Sequence, residues 1–322
     1  MGGDTGIETS AYGKVSELVR SGIDEEIRNG ADPGDNTLNL TLQSFIHALT
    51  YRYANTTVPL LDIEAELHDA WYVCIQAAKH MHCSNHKQDA LVRCLAAAKS
   101  MGHLRRPQAA LGGSGADPEL ILFSDRSSFW ADLPLFGTDL VREWTERYYS
   151  NEHYDPDQRS YLAAFVGRLL SVGIHRGPAD CLLSLLRETL ETPRPLVSAP
   201  SADGDGSSGT KTAPVVEDLL RALQQLFHHV EGAVFMIRYH CSPNNSLVPC
   251  GGAQVSGLGE LALQSGTVRS AGFSPERWTF WARRLEELAR CDVESIAGNA
   301  DACLLELNRE VDGKVGKYGR GS

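Results

Sequence analysis

Several groups of side chains in this 322-residue chain are of the types that chemistry requires. His80, His82, Cys83 and His86 form the densest metal-capable cluster. Zinc needs four ligands converging tetrahedrally, and short spacings at a helix end could supply three, with Cys241 or Cys250 as a further thiol. A helix C-terminus attracts His for another reason, because its open carbonyls and dipole favour it. The spacing matches no standard finger, so no metal is expected. His68-Asp69, with His47 upstream, has the form of the metal-binding dipeptide of helical phosphohydrolases. Eleven His in a chain of this Asp content give about 0.7 such dipeptides by chance, so the pair carries no weight alone. His153-Tyr154-Asp155 has the form of half a facial triad, but the oxygenases that use it stand on a β scaffold.

Glycine and carboxylate motifs are weaker still. Gly257-Leu258-Gly259 begins a nominal dinucleotide fingerprint, yet a Pro/Asn/Gly loop precedes it where a strand is required. Gly252 to Gly257 has the spacing of a phosphate-binding loop without its Lys and Ser/Thr. Gly112-Gly113-Ser114-Gly115-Ala116 lacks the last glycine of a nucleophile elbow. No run of paired Asp residues could hold magnesium and a diphosphate. No cofactor is expected.

The most distinctive residues are aromatic. Of five Trp, four fall in or beside two segments, 129–144 and 277–281. Trp130, Phe136, Trp144, Trp278 and Trp281 could line an apolar cavity with Asp132 as its polar group and candidate catalytic carboxylate. They could equally be core, since Trp278 and Trp281 stand one helical turn apart and Asp132 before Leu133-Pro134 suits a turn cap. The core reading is preferred for Trp281, and both remain open for Asp132.

The elements that must position these residues are helical, because period 3.6 dominates and strict alternation is scarce. Asp62 is a candidate cap for a helix to about Met81. Ser84 or Asn85 opens the next, and Asn85 with Gln88 has capping-box spacing. Thr138 precedes a helix carrying Leu140, Val141 and Trp144. Pro156 and Pro178 stand where first-turn prolines belong, and Pro214 starts a helix through Val234. Ser274-Pro275 form an N-cap and N1 pair, and a last helix spans Asp292 to about Val311. The fold class is therefore all-α, an irregular multi-helix bundle with a flexible internal insertion. Residues 1–35 are expected to be a partly ordered segment and 36–311 a single helical domain. A polar insertion interrupts that domain at about 197–213, and 312–322 form a tail.

Composition bounds the partners. Hydrophobic residues at 42% suffice for a core, so global disorder is not expected. A net charge of −11 argues against nucleic acid and anionic membrane surfaces. No secretory signal or bilayer-length apolar run is present, so the expected location is the cytoplasm and the eight Cys are read as reduced thiols.

The run Phe129-Trp130-Ala131-Asp132-Leu133-Pro134-Leu135-Phe136-Gly137, leading to Arg142-Glu143-Trp144, resembles domain of unknown function 3632, a family of filamentous-fungal proteins. Trp71-Tyr72-Val73-Cys74-Ile75 and Glu276-Arg277-Trp278-Thr279-Phe280-Trp281 fit the same resemblance, which covers most of residues 40–310. It implies an accessory role in fungal secondary-metabolite biosynthesis and carries over no functional residue. Two roles follow as expectations. One is a cofactor-free tailoring enzyme or binder of an apolar small molecule. The other is a non-catalytic interaction or regulatory module for another pathway protein.

Overall fold

Two helices start where their first-turn prolines predict, at Pro156 and at Ser274-Pro275. In the computed structural model, Asp155 accepts from the backbone of Gln158 while Gln158 reaches back to the Asp155 amide, a complete capping box with Pro156 in the first turn. Ser274 caps the helix that opens at Pro275, its hydroxyl accepting from the Arg277 amide at 3.2 Å. The structure describes residues 17–25, 37–55, 57–107, 119–198, 213–230 and 255–308. Most of the expected insertion at 197–213, all of the tail at 312–322 and much of 1–35 lie outside the described residues.

Helices α1 (17–25), α2 (Thr37–Asn55), α3 (Leu60–His80) and α4 (Lys87–Ser100) are followed by an irregular stretch and α5 (Phe136–Glu143). A π-helical turn, Trp144–Tyr148, continues α5. Then come α6 (Pro156–Ser171), α7 (Gly177–Leu190), α8 (Val216–His229), α9 (Glu260–Ser265), α10 (Pro275–Leu288) and α11 (Glu294–Asn308). The fold is all-α. Among the described residues the extended backbone pairs only as isolated antiparallel bridges: His103 with Trp130, Arg106 with Glu119, and Leu122 with Ser128.

The chain forms two compact units, residues 1–140 and 141–322. In the first, α2 packs on α3 and α4. Leu42, Ile46, Leu49 and Tyr53 of α2 are buried at offsets of four, three and four residues, the apolar stripe of an amphipathic helix. In the second, α8 is the centre, packed against α6, α7 and α11. Helices α6 and α8 meet at Gly167, where an added Cβ would come within 2.4 Å of the Leu226 carbonyl oxygen. Only a residue without a side chain allows that approach.

Several expected boundaries move. Helix α3 begins at Leu60 behind Pro59, so Asp62 sits inside the first turn and favours the dipole there without capping it. Helix α4 begins at Lys87, and no capping box forms. The Gln88 amide instead donates to the Met81 carbonyl at 2.7 Å, closing the C-terminal end of α3. Helix α5 begins at Phe136, two residues before Thr138.

Candidate functional site

The segment 123–136 is built on an unusual backbone. Arg126, Trp130, Leu133 and Leu135 all have φ between 50° and 65°, the left-handed region that side chains with a Cβ disfavour. Those turns drive three large rings inward. Phe129 stacks on Tyr53 with ring centroids 4.2 Å apart, and Trp130 meets Trp71 edge-on. Phe136 takes another edge of Trp71. The indole N–H groups are satisfied, Trp71 donating to the Pro134 carbonyl at 2.7 Å and Trp130 to the Thr50 hydroxyl at 2.8 Å. Trp130 and Phe136 are fully buried.

Asp132 stands apart from those rings. Its side chain is exposed, and its Oδ2 accepts from the Ser128 amide at 2.8 Å and the Ser128 hydroxyl at 2.6 Å. Those hydrogen bonds hold its carboxyl below the usual carboxylate range.

The second aromatic segment surrounds a buried ion pair that sequence reasoning missed. Trp278 and Trp281 meet edge to face at 5.1 Å, and Trp281 donates its indole N–H to Glu191 Oε1 at 2.7 Å. Arg277 and Glu191 are both fully buried. The Arg277 Nε donates to Glu191 Oε1 at 2.5 Å and Nη2 to Oε2 at 3.1 Å. Its remaining N–H groups go to the carbonyls of Ser256, Gly257 and Gly272. The Gly259 amide donates to Glu191 Oε2 at 2.7 Å. The guanidinium's five donors all have acceptors, and each Glu191 oxygen takes two donors. This closed network ties the stretches on either side of α9 to the end of α7. It also explains Gly259, where an added Cβ would fall 2.5 Å from the Glu191 Cβ. The glycine is there for close packing against Glu191, and no strand precedes it among the described residues.

Trp144 belongs to the second unit, stacked on Tyr148 at 3.9 Å, with its N–H donated to the Tyr149 hydroxyl. Tyr149 continues to Ser184 at 2.9 Å, and burial pushes its phenol well up, so it stays protonated.

The other candidates are dispersed. His68 and Asp69 point to different partners, His68 to Asp139 at 2.6 Å and Asp69 to Arg20 at 2.9 Å. Asp155 serves the α6 cap. His82 Nδ1 accepts from the Ser84 amide, and His86 precedes the first turn of α4. Among the described residues no three His, Cys, Asp or Glu side chains converge as a metal site would require. Cys241 and Cys250 lie outside those residues.

Among the described residues, a concavity of about 530 Å³ lies between α2 and α4. Gln43, Ile46, His47 and Thr50 face it from α2, one stripe at helical spacing. Helix α4 contributes Ala90, Arg93, Cys94, Ala97 and Ala98 at the same period, and Met101 follows at its C-cap. The small side chains of α4 leave the space open. Ile46, Cys94 and Ala98 form its buried floor, whereas Gln43, His47 and Arg93 are exposed at the rim. Burial raises the Cys94 thiol to about 11, so the floor is uncharged at neutral pH. A more polar groove of about 650 Å³ borders α9 and α10, with Arg283, Arg284, Glu276 and Glu287 on its walls.

Oxopyrrolidines biosynthesis cluster protein G of Penicillium oxalicum (strain 114-2 / CGMCC 5302) is 29% identical to this chain over 250 residues. The aligned region is 74% of this chain and 64% of that relative's length. A family model described as "Protein of unknown function (DUF3632)" matches residues 71–285, the span that holds both aromatic segments and the Glu191–Arg277 pair. The chain therefore belongs to the DUF3632 family.

Proposed function

We propose that this protein is an accessory factor of fungal secondary-metabolite biosynthesis that acts by binding an apolar small molecule between α2 and α4. The pathway setting is supported by its similarity to the Penicillium biosynthesis cluster protein. The observation that carries the binding role is the groove itself. It has an apolar floor, a few polar groups at the rim and a volume of about 530 Å³, within the range of small-molecule sites. We place no chemistry on Asp132, whose carboxylate is exposed and committed to Ser128, nor on Glu191, whose lone pairs are filled.

Replacing the exposed Ala97 with Trp fills the groove from its wall without touching the core. The expected result is a variant that keeps its circular dichroism and melting temperature while its strain shows the same metabolite loss as a gene deletion. A strain carrying Ala97→Trp with an unchanged metabolite profile would show that the groove is not the working site.

The alternative role, docking another pathway protein, is favoured by the α9–α10 groove, whose mixed charges suit a polar protein segment. In that case charge reversal at Arg283 would abolish the metabolite effect and Ala97→Trp would not.

A further inference from the structure

Among the described residues, the rim of the α2–α4 groove carries hydrogen-bond donors and no acid. Gln43, His47 and Arg93 are its exposed polar side chains, and none of them is engaged by another side chain among the described residues. Thr50, deeper in the groove, is already committed, donating to the Ile46 carbonyl at 2.6 Å and accepting from Trp130. Among the described residues no Asp or Glu lines the groove.

Among the described residues, Arg93 is the one arginine that lines this groove. The net charge is −11, and many other arginines have found an acid: Arg20 pairs with Asp69, Arg52 with Glu66, Arg194 with Glu188 and Arg221 with Asp157. Arg93, like Arg126, Arg176 and Arg269, forms no ion pair among the described residues, but it alone of these borders the groove. An unpaired guanidinium beside an apolar floor is complementary to a ligand with an anionic end and an apolar body.

We infer that the ligand of this groove is a hydrophobic acid, lying with its apolar body on Ile46, Cys94 and Ala98 and its anionic group at Arg93, within reach of His47 or Gln43 donors. A carboxylate, a sulfonate or an ionised enol on an apolar skeleton has the required chemistry. Arg93 supplies a charge-assisted hydrogen bond that a neutral analogue cannot use. This inference rests on the groove being the binding site.

Two fluorescent probes separate charge from shape. Anilinonaphthalene sulfonate and its uncharged parent N-phenylnaphthylamine share one aromatic amine skeleton and differ by the sulfonate. With the full-length protein, the sulfonate should bind about tenfold more tightly, and Arg93→Glu should erase that preference while changing N-phenylnaphthylamine affinity by less than about twofold. Ala97→Trp should weaken both probes. Equal affinities in the wild type, or a preference that survives Arg93→Glu, would overturn the anionic ligand and leave the groove intact, provided Ala97→Trp still blocks both. Probe binding indifferent to Ala97→Trp would overturn the groove, and the inference with it.

Discussion

At the scale of single residues, the most deeply buried ion pair among the described residues is that of Glu191 and Arg277, with no exposed side-chain surface. Burying two charges is tolerable only when every donor and acceptor is met, and here they are. Removing one partner leaves the other uncompensated. Arg277→Met should therefore cost about 3–5 kcal/mol in urea unfolding, and Trp281→Phe, which removes one hydrogen bond to a charged group, about 1.5–3 kcal/mol. If Arg277→Met unfolds at the wild-type urea midpoint, the pair is not a keystone. Asp132 is the contrasting case. Its folded pKa is depressed by Ser128, so its stabilisation is present above the ordinary carboxylate range and fades as pH falls through the depressed value. Asp132→Asn should cost at most about 1 kcal/mol at neutral pH, because the group is exposed and solvent screens it. The gap between variant and wild type should narrow on acidification, which a series of thermal melts across the acid range would measure. A gap that widens at low pH contradicts the assignment.

At the scale of elements, the left-handed residues of 123–136 place the rings at a conformational cost. Arg126 is the one whose side chain is exposed, with φ at 63°. Arg126→Gly should stabilise by up to about 1 kcal/mol, the release of αL strain offset in part by the added freedom of the unfolded chain. The same change at Arg93, mid-helix in α4, should destabilise by about 1 kcal/mol. Paired denaturant titrations read both, and a destabilised Arg126→Gly would show that its side chain contributes more than its strain removes. The elements also show why some motifs were readable and others misread. The cap at Ser274 involves a partner three residues away, so neighbouring sequence suffices to specify it. Asn85 and Gln88 have the right spacing for a capping box, but Gln88 is turned to the carbonyls at the end of α3, a choice made by the turn between two helices. Helix α2 carried a legible signal in Leu42, Ile46, Leu49 and Tyr53, and its stripe was not among the expected helices.

At the scale of the whole molecule, charge and helicity set the behaviour in bulk. With a net charge of −11 and no basic stripe, the protein should pass through a heparin column at low salt without retention, since polyanion binding needs clustered Lys and Arg. Retention released by salt would reveal a basic surface of a kind the charge balance gives no reason to expect. No helix among the described residues is long and apolar enough to cross a membrane.

What the sequence determined by itself is what short-range physics controls: the 3.6-residue period, the caps with a first-turn proline, the acidic balance and the family-marking aromatic segments. Only the tertiary structure decided what those aromatics do. Trp281 was legible as a buried residue, but not that its indole N–H meets a carboxylate 90 residues away in the chain. Glu191 had no local mark, since a glutamate at a helix end normally faces water. The one available hint was Arg277, a cation beside Trp278 on the inner face of α10. The groove was hidden for the same reason. The alanines of α4 read as an ordinary helix, and they become the wall of a cavity only where α2 lies opposite. Long-range pairing depends on two segments at once, and neither segment alone contains it.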